Sequence, residues 1–163
     1  MATEFQTAPD WLRSVEAEEK AESAAKELAT AQLTSATLRV EADAPTVLQD
    51  LLRELTVCIK ALDSGSRSGS VTTWGSLEYE QGCRVSVQRT NCVLPRLTYT
   101  TLNYQKVGHR ISCNTSEGKA FLLWFCVYDN RVCIQANDAP APMDYKQAAQ
   151  FLLKPMLALT KRP

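Results

Sequence analysis

The sequence predicts an α+β protein: an antiparallel meander sheet of about six strands with two amphipathic helices on one face, preceded by a long N-terminal helix. Three observations predict it. Residues 11–42 contain no glycine and are dense in Ala, Glu, Lys and Leu, the residues that lose least on entering a helix. The period of the apolar residues changes from 3.6 to 2 after the Ser- and Gly-rich segment 63–70. Residues 119–138 combine an uncharged run with strict alternation, which predicts a central hairpin.

The predicted N-terminal helix carries a coiled-coil-like spacing. Small residues recur in alternating steps of three and four, which is the spacing of a helix–helix contact; the central members of this seam are Ala17, Ala21, Ala24, Leu28 and Ala31. Abundant alanine also produces such a register by chance. We therefore divide the chain into a helical extension, residues 1–33, and an α+β domain, residues 34–163. Residues 36–42 alternate as well, so their period does not decide between helix and strand.

A second helix is expected from Asp43 to Leu62. Asp43 is a favourable N-cap, and Pro45 fits the first turn, where its missing N–H costs nothing. Leucine and isoleucine then recur at i, i+3 and i+4, with charged residues opposite, as in a helix packed on a core. A third helix is expected over residues 143–161, with Pro155 either kinking it or starting a new segment.

Six strands are expected between the second and third helices, at residues 71–80, 83–88, 96–104, 106–114, 120–128 and 131–136. The predicted turns include Gln81-Gly82 and Asp129-Asn130. The links are too short for crossover helices, so neighbouring strands must be antiparallel. The uncharged strand 120–128 is expected to be buried on both faces.

Composition points to an ordinary globular protein without a metal or cofactor site. The N-terminus lacks a basic head and an apolar core, so we expect a cytoplasmic protein without a membrane span. The six cysteines include no C-x-x-C pair, and we expect all six to be free thiols. Net charge is zero, but residues 1–83 carry 7 basic and 14 acidic residues, whereas residues 84–163 carry 11 and 4. The two halves therefore attract each other, within one chain or between two.

Residues that usually perform catalysis are scarce, which favours a non-enzymatic protein. His109 is the only histidine, and Cys113, the nearest cysteine in sequence, lies roughly 13 Å away if both belong to one strand. Segment 107–109 resembles a bulge or a turn, where a solvated or simply hydrogen-bonded histidine is expected. The sequence contains no phosphate-binding glycine loop, nucleophile elbow or zinc-protease motif.

One polar constellation remains, on the sheet. Strand parity places one arginine from each of four strands on a common face, beside a tryptophan: Arg84, Arg96, Arg110 and Arg131, with Trp124. Guanidinium groups beside a flat aromatic side chain suit an anionic ligand, an acidic peptide or, less favourably, single-stranded nucleic acid. The same residues also suit a solvated sheet face, or a face that the acidic first helix covers in the same chain or in a second copy.

The sequence therefore favours an assembly or interaction protein, self-associating or partner-binding through its N-terminal helix. The alternative is a module that binds a small molecule or an anionic ligand on the arginine-bearing sheet face. A ligand module requires a cavity lined by convergent polar groups, whereas an assembly protein requires a long exposed helix.

Overall fold

The computed structural model describes residues 8–63, 65–90 and 96–160, and it confirms an α+β protein with a long N-terminal helix and a six-stranded antiparallel sheet. The elements follow in the order α1 (Asp10–Leu62), β1 (Arg67–Gly75), β2 (Glu80–Arg89), β3 (Leu97–Gln105), β4 (Arg110–Thr115), β5 (Ala120–Tyr128), β6 (Arg131–Ala136) and α2 (Tyr145–Leu159). Within the described residues, neither helix is both long enough and apolar enough to cross a membrane.

The predicted helix boundary at Asp43 is wrong, because α1 runs without interruption through Pro45. Proline lacks an N–H, so the carbonyl of Glu41 loses its intrahelical donor at this point. Ala44, directly before the proline, is completely buried, and Leu48 and Leu51 continue the same buried side of the helix. Packing of this side on the core offsets the local cost of the proline. Residues 36–42 are helical, which settles the choice that their period left open.

The chain divides into two compact units, residues 1–38 and residues 39–163. The division falls inside α1, so the first unit contains the early part of that helix and the second contains its later part, the sheet and α2. The buried side chains of the later part, of α2 and of the sheet belong to one hydrophobic core.

The sheet is a simple meander in which each strand pairs with its neighbours in sequence. Three predicted boundaries are wrong. β4 begins at Arg110 and not at residue 106, because residues 106–109 form the turn after β3. β1 begins at Arg67, within the segment expected to be a loop, and Arg67 pairs with Arg89 of β2. The first turn lies at residues 76–79, and Gln81 and Gly82, which were expected to form it, are paired residues of β2. Gly75 enters the turn with φ at +83°, a conformation that glycine adopts at little cost.

The strand register separates an inner face of the sheet, which carries core residues, from an outer face. Val85, Leu102, Ile111, Leu123 and Ile134 are inner-face residues, and each is almost inaccessible to solvent. The expectation that β5 is buried on both faces is wrong: Leu123 and Phe125 are buried, but Leu122, on the outer face, remains 43% exposed. Successive side chains of a strand point to opposite faces, so an uninterrupted apolar run places some of its side chains in the core and the others on the outer surface.

The hairpin β5–β6 closes through the predicted Asp129-Asn130 turn, in which both residues have positive φ, at +48° and +61°. This backbone matches the right-handed twist of the flanking strands, and Asp and Asn tolerate it better than most residues. β6 is held on its other side by Met143, whose N–H and carbonyl form a two-bond bridge with Ile134.

α2 begins with a complete capping box. The Asp144 carboxylate accepts a hydrogen bond from the Gln147 N–H at 2.7 Å, and the Gln147 side-chain oxygen accepts one from the Asp144 N–H at 3.0 Å. The helix continues through Pro155 as a single element, and Phe151 meets Phe121 of the inner face edge to face, with ring centroids 6.2 Å apart.

Candidate interaction surfaces

The first part of α1, residues 10–38, is exposed along almost its whole length. Of the side chains in this stretch, only Leu12 and Ala36 are even partly shielded. The exposed fraction is 68% for Trp11, 61% for Leu28 and 69% for Leu33. Apolar side chains of this size at such exposure are the usual mark of a surface that a partner covers, when several lie close together.

The predicted seam lies within this exposed stretch. All five of its residues, Ala17, Ala21, Ala24, Leu28 and Ala31, are exposed. Alanine allows a second helix to approach closely, but it contributes little apolar area, so Leu28 dominates the apolar surface of the seam.

A second apolar side of the same helix was missed by the sequence analysis. At about 100° per residue, Trp11, Val15 and Leu33 fall together, roughly 140° around the helix from the seam. Ala25 and Ala29 lie on this side too, but Glu18 and Glu22 interrupt it. We call this side the glutamate stripe. The residues of the glutamate stripe are also spaced by three and four along the sequence. The pattern was not recognised because two of its positions, Glu18 and Glu22, are charged.

The outer face of the sheet carries four of the five residues predicted for the arginine face. Arg110 of β4 lies directly opposite Trp124 of β5, and Trp124 lies opposite Gln135 of β6. Arg84 of β2 and Arg131 of β6 have the same parity and are exposed. Among the described residues, none of these three arginines forms an ion pair.

Arg84 is held by two contacts on the outer face. Its guanidinium lies 4.5 Å from the centre of the Tyr99 ring, and its Nε donates to the Thr101 hydroxyl at 3.2 Å. A cation above an aromatic face is attracted by the ring quadrupole, so Tyr99 holds this arginine over the sheet. Its other N–H groups have no acceptor among the described residues, so a ligand can accept from them.

Arg96 does not join the other arginines. It precedes β3, which begins at Leu97, and it forms an ion pair with Glu117 at 2.9 Å. Thr98 and Thr100, which have the same parity as Arg96, point to the inner face and are almost completely buried. The Thr98 hydroxyl donates to the Val87 carbonyl at 3.2 Å, which satisfies its hydrogen-bonding group within the core.

Several apolar side chains also occupy the outer face. Trp74 lies across Gly82, where a Cβ atom would come within 2.0 Å of the indole, so the glycine permits this close stacking. Leu97 and Leu122 are exposed by 53% and 43%. A shallow groove of about 240 Å³, lined by Ser68, Gly69, Ser70, Ser86, Gln88 and Leu97, lies beside them. The outer face is therefore a broad mixed surface of arginine, aromatic and aliphatic groups.

His109 has a structural partner. It lies in the turn between β3 and β4 with φ at +46°, and its Nδ1 is 3.0 Å from the hydroxyl of Tyr104. The Tyr104 ring packs edge to face against Phe125 in the core, and burial raises the pKa of its hydroxyl. The histidine thus satisfies the polar end of a buried tyrosine, a role that sequence reasoning left open.

The five cysteines within the described residues are free thiols, and Cys92 lies outside those residues. Burial raises the pKa of Cys83 to about 11 and that of Cys113 to about 12. Cys126 and Cys133 face each other across β5 and β6; desolvation raises the pKa of Cys126, and the neighbouring Cys133 thiol raises it further. These thiols are poor nucleophiles at neutral pH, because the thiolate is the reactive form.

Over the described part of the chain, no group of three or more His, Cys, Asp or Glu residues is arranged to hold a metal ion. The chain matches no known protein-family model, no curated protein and no solved structure.

Proposed function

We propose that this protein is a non-enzymatic assembly protein whose copies associate through the first part of α1. The observation that carries the proposal is the exposure of Trp11, Leu28 and Leu33 on a helix that is itself almost fully exposed from residue 10 to residue 38. Isolated helices are marginal in water, and in proteins most helix stability comes from packing of an apolar side. A second copy supplies that packing.

The magnitude of the apolar term supports association. Full burial of a large apolar side chain contributes about 1.5–3 kcal/mol, so covering Leu28 in both copies of a seam contact contributes roughly 3–6 kcal/mol before the costs of association. Trp11 and Leu33 lie on another side of the helix and add to this sum only through a second contact. Those costs are of similar size, so the apolar contribution of the seam alone predicts weak association that is visible only at high protein concentration. The predicted seam provides the simplest contact, because its alanines permit close helix approach around Leu28.

We further propose that the later part of α1 and α2 both cover the same face of the sheet, as the sequence predicts. Two contacts support this arrangement. A Cβ at Gly69, an inner-face position of β1, would lie 3.1 Å from the Ile59 side chain of α1. Phe121, an inner-face residue of β5, packs against Phe151 of α2. With both helices on the inner face, the domain has a core that does not depend on the first part of α1.

Paired substitutions in the full chain test the seam. Ala21→Gln with Leu28→Gln places two bulky polar side chains seven residues apart on the seam. The matched control, Ser23→Gln with Thr30→Gln, makes the same kind of change at the same spacing on an exposed side about 160° away. Light scattering over a concentration series is expected to show a wild-type dimer, a monomeric seam variant and a dimeric control.

Deletion of residues 1–33 provides a second test. We expect a folded domain, judged by a cooperative unfolding transition, with a reduced oligomeric state. A wild-type protein that is monomeric at millimolar concentration refutes the proposed function. An insoluble or molten truncated protein instead places the deleted helix in the core.

A second candidate function is the binding of an anionic ligand on the outer face. The observation that favours it is the set of three arginines without a described carboxylate partner, one of them held over Tyr99. In this case Arg84→Ala with Arg110→Ala weakens retention on heparin or on a single-stranded oligonucleotide at low salt. Wild-type protein that flows through both columns at low salt excludes this candidate.

A further inference from the structure

The outer face and the glutamate stripe are both uncovered in the described residues, and they carry opposite charges. Arg84, Arg110 and Arg131 give the outer face three cations, against a single carboxylate, Glu80. Leu97, Leu122, Trp74 and Trp124 add apolar and aromatic area among them. The glutamate stripe presents Glu18 and Glu22, and Trp11, Val15 and Leu33 provide its apolar area.

We propose that the outer face of the sheet in one copy receives the glutamate stripe of α1 from a second copy. This inference rests on the proposed self-association and adds the surface that accepts the helix. Glu18 and Glu22 pair with arginines of the outer face, and the apolar residues of the stripe cover the exposed leucine and tryptophan side chains. Arginine favours such a contact, because its planar guanidinium holds a carboxylate through two parallel hydrogen bonds.

The dimensions of the two surfaces agree. Six strands at about 4.8 Å spacing make a sheet about 24 Å wide, and strands of nine residues are about 30 Å long, so the outer face covers roughly 700 Å². A helix of about 20 residues is about 30 Å long and spans this face. One helix about 10 Å wide covers roughly 300 Å² of this face, and each copy of a reciprocal dimer buries such an area twice, once on its sheet and once on its helix, roughly 600 Å² in all. A standard protein interface buries about 800 Å² on each partner, and the helix–helix contact of the seam adds to the area of the two helix–sheet contacts.

The seam and the glutamate stripe lie on different sides of the helix, about 140° apart, so one helix can use both at once. In a two-fold dimer the first part of α1 of each copy lies on the sheet of the other copy. Both equivalent contacts are then made, so no unoccupied surface remains to bind further copies. The seam then joins helix to helix, while the stripe joins helix to sheet.

Charge reversal tests the pairing. The face variant carries Arg84→Glu and Arg110→Glu, and the stripe variant carries Glu18→Arg and Glu22→Arg. Each alone sets like charges against each other in both contacts of a homodimer, and we expect the dissociation constant to rise roughly 100-fold or more. Mixing the two variants restores opposite charges in both contacts. In one contact the native stripe of the face variant meets the native face of the stripe variant, and in the other the arginines of the reversed stripe meet the glutamates of the reversed face. The mixture is therefore expected to form a heterodimer at close to wild-type concentrations.

Two matched controls make the same charge changes elsewhere. Glu16→Arg with Glu27→Arg lies about 150° around the helix from the stripe, and Arg53→Glu with Lys60→Glu lies on exposed positions of the later part of α1. Both controls are expected to dimerise like the wild type. Dimer formation is measured by analytical ultracentrifugation, with one variant fluorescently labelled in the mixing experiment, and circular dichroism verifies that each variant is folded.

Every outcome bears on the inference. A dimer that withstands reversal of Arg84 and Arg110 overturns it while leaving the proposed self-association intact, because the helices then associate through the seam alone. Two folded variants that stay monomeric on mixing also overturn it, and this result includes the case in which a helix covers the sheet of its own chain. A monomeric wild type removes the proposed function and the inference together. Recovery of the heterodimer in the mixture, with both controls unaffected, establishes the contact between the outer face and the glutamate stripe.

Discussion

The buried thiols of Cys83 and Cys113 predict a marked loss of stability at alkaline pH. Both side chains are 1% exposed, and burial raises their pKa values from 9.0 to about 11 and about 12. Above pH 9 the unfolded chain therefore releases these two protons while the folded chain retains them. The unfolded state then binds fewer protons, so the free energy of unfolding falls as pH rises.

The expected magnitude follows from the two pKa values. One pKa unit corresponds to about 1.4 kcal/mol, so each thiol lowers the free energy of unfolding by about 1.4 kcal/mol at pH 10 and by about 2–3 kcal/mol at pH 11. Together they remove about 5 kcal/mol at pH 11. Small domains are typically stable by about 5–15 kcal/mol, so this loss is large enough to unfold a marginal one.

Urea denaturation at pH 7, 8, 9 and 10, followed by circular dichroism, measures the effect. Cys113→Ala is expected to lower stability at pH 7 and to reduce the fall between pH 8 and pH 10 by about 1.4 kcal/mol relative to wild type. Val85→Ala is the matched control, since it also shortens a buried side chain of the inner face but removes no ionisable group. A Cys113→Ala curve that runs parallel to that of Val85→Ala refutes the reasoning.

Three further predictions concern single contacts. Asp144→Ala removes the cap of α2 and is expected to lower the free energy of unfolding by about 1 kcal/mol, whereas Asp144→Asn, another good cap, keeps most of it; equal losses in thermal melts contradict this role. Gly82→Ala drives the indole of Trp74 off the strand, at a cost of about 1 kcal/mol, and shifts the Trp74 fluorescence to longer wavelength; an unchanged spectrum rules out the contact. His109→Ala leaves the hydroxyl of Tyr104 unpaired and costs about 1–2 kcal/mol in the wild type but much less in a Tyr104→Phe background; additive losses in urea denaturation indicate that the two side chains are not coupled.

The strand pattern could be predicted where alternation and turn chemistry agree. Asp129-Asn130 met both conditions, because the residues on either side alternate and both turn residues tolerate positive φ. Gln81-Gly82 met only the second. Gly82 is needed beneath Trp74 rather than in a turn, and no local signal separates these two uses of glycine.

The proline at position 45 shows a different limit. A helix start was predicted because Asp43 and Pro45 satisfy local capping rules. The structure instead continues α1, because burial of Ala44 and Leu48 on either side of the proline outweighs the loss of one backbone hydrogen bond. Tertiary packing of this kind is not visible in the local sequence.

Parity predicted most of the outer face, and it failed in β3, where threonines of the inner face were taken for polar residues of the outer face. Arg84, Arg110 and Arg131 were assigned from strands with clear alternation, and the structure gives them the expected parity. Arg96 lies one residue before β3, in which buried threonines occupy the inner positions. Threonine alternates like a polar residue in sequence, yet its methyl group packs in a core once its hydroxyl has a partner.

The meander order of the sheet has a consequence for how the chain folds. Each strand finds its partner in the segment that directly precedes it, so every ladder closes a short loop and the entropic cost of each closure is small. Sequence-local pairing favours fast folding, and it allows the sheet to grow one strand at a time from β1 towards β6 as the chain leaves the ribosome. We therefore expect the 39–163 unit to refold within milliseconds to about a second in stopped-flow experiments, and a main phase lasting minutes contradicts growth by successive hairpins. In such a process the β6 edge of the sheet becomes available last, and it is the edge that Met143 then closes.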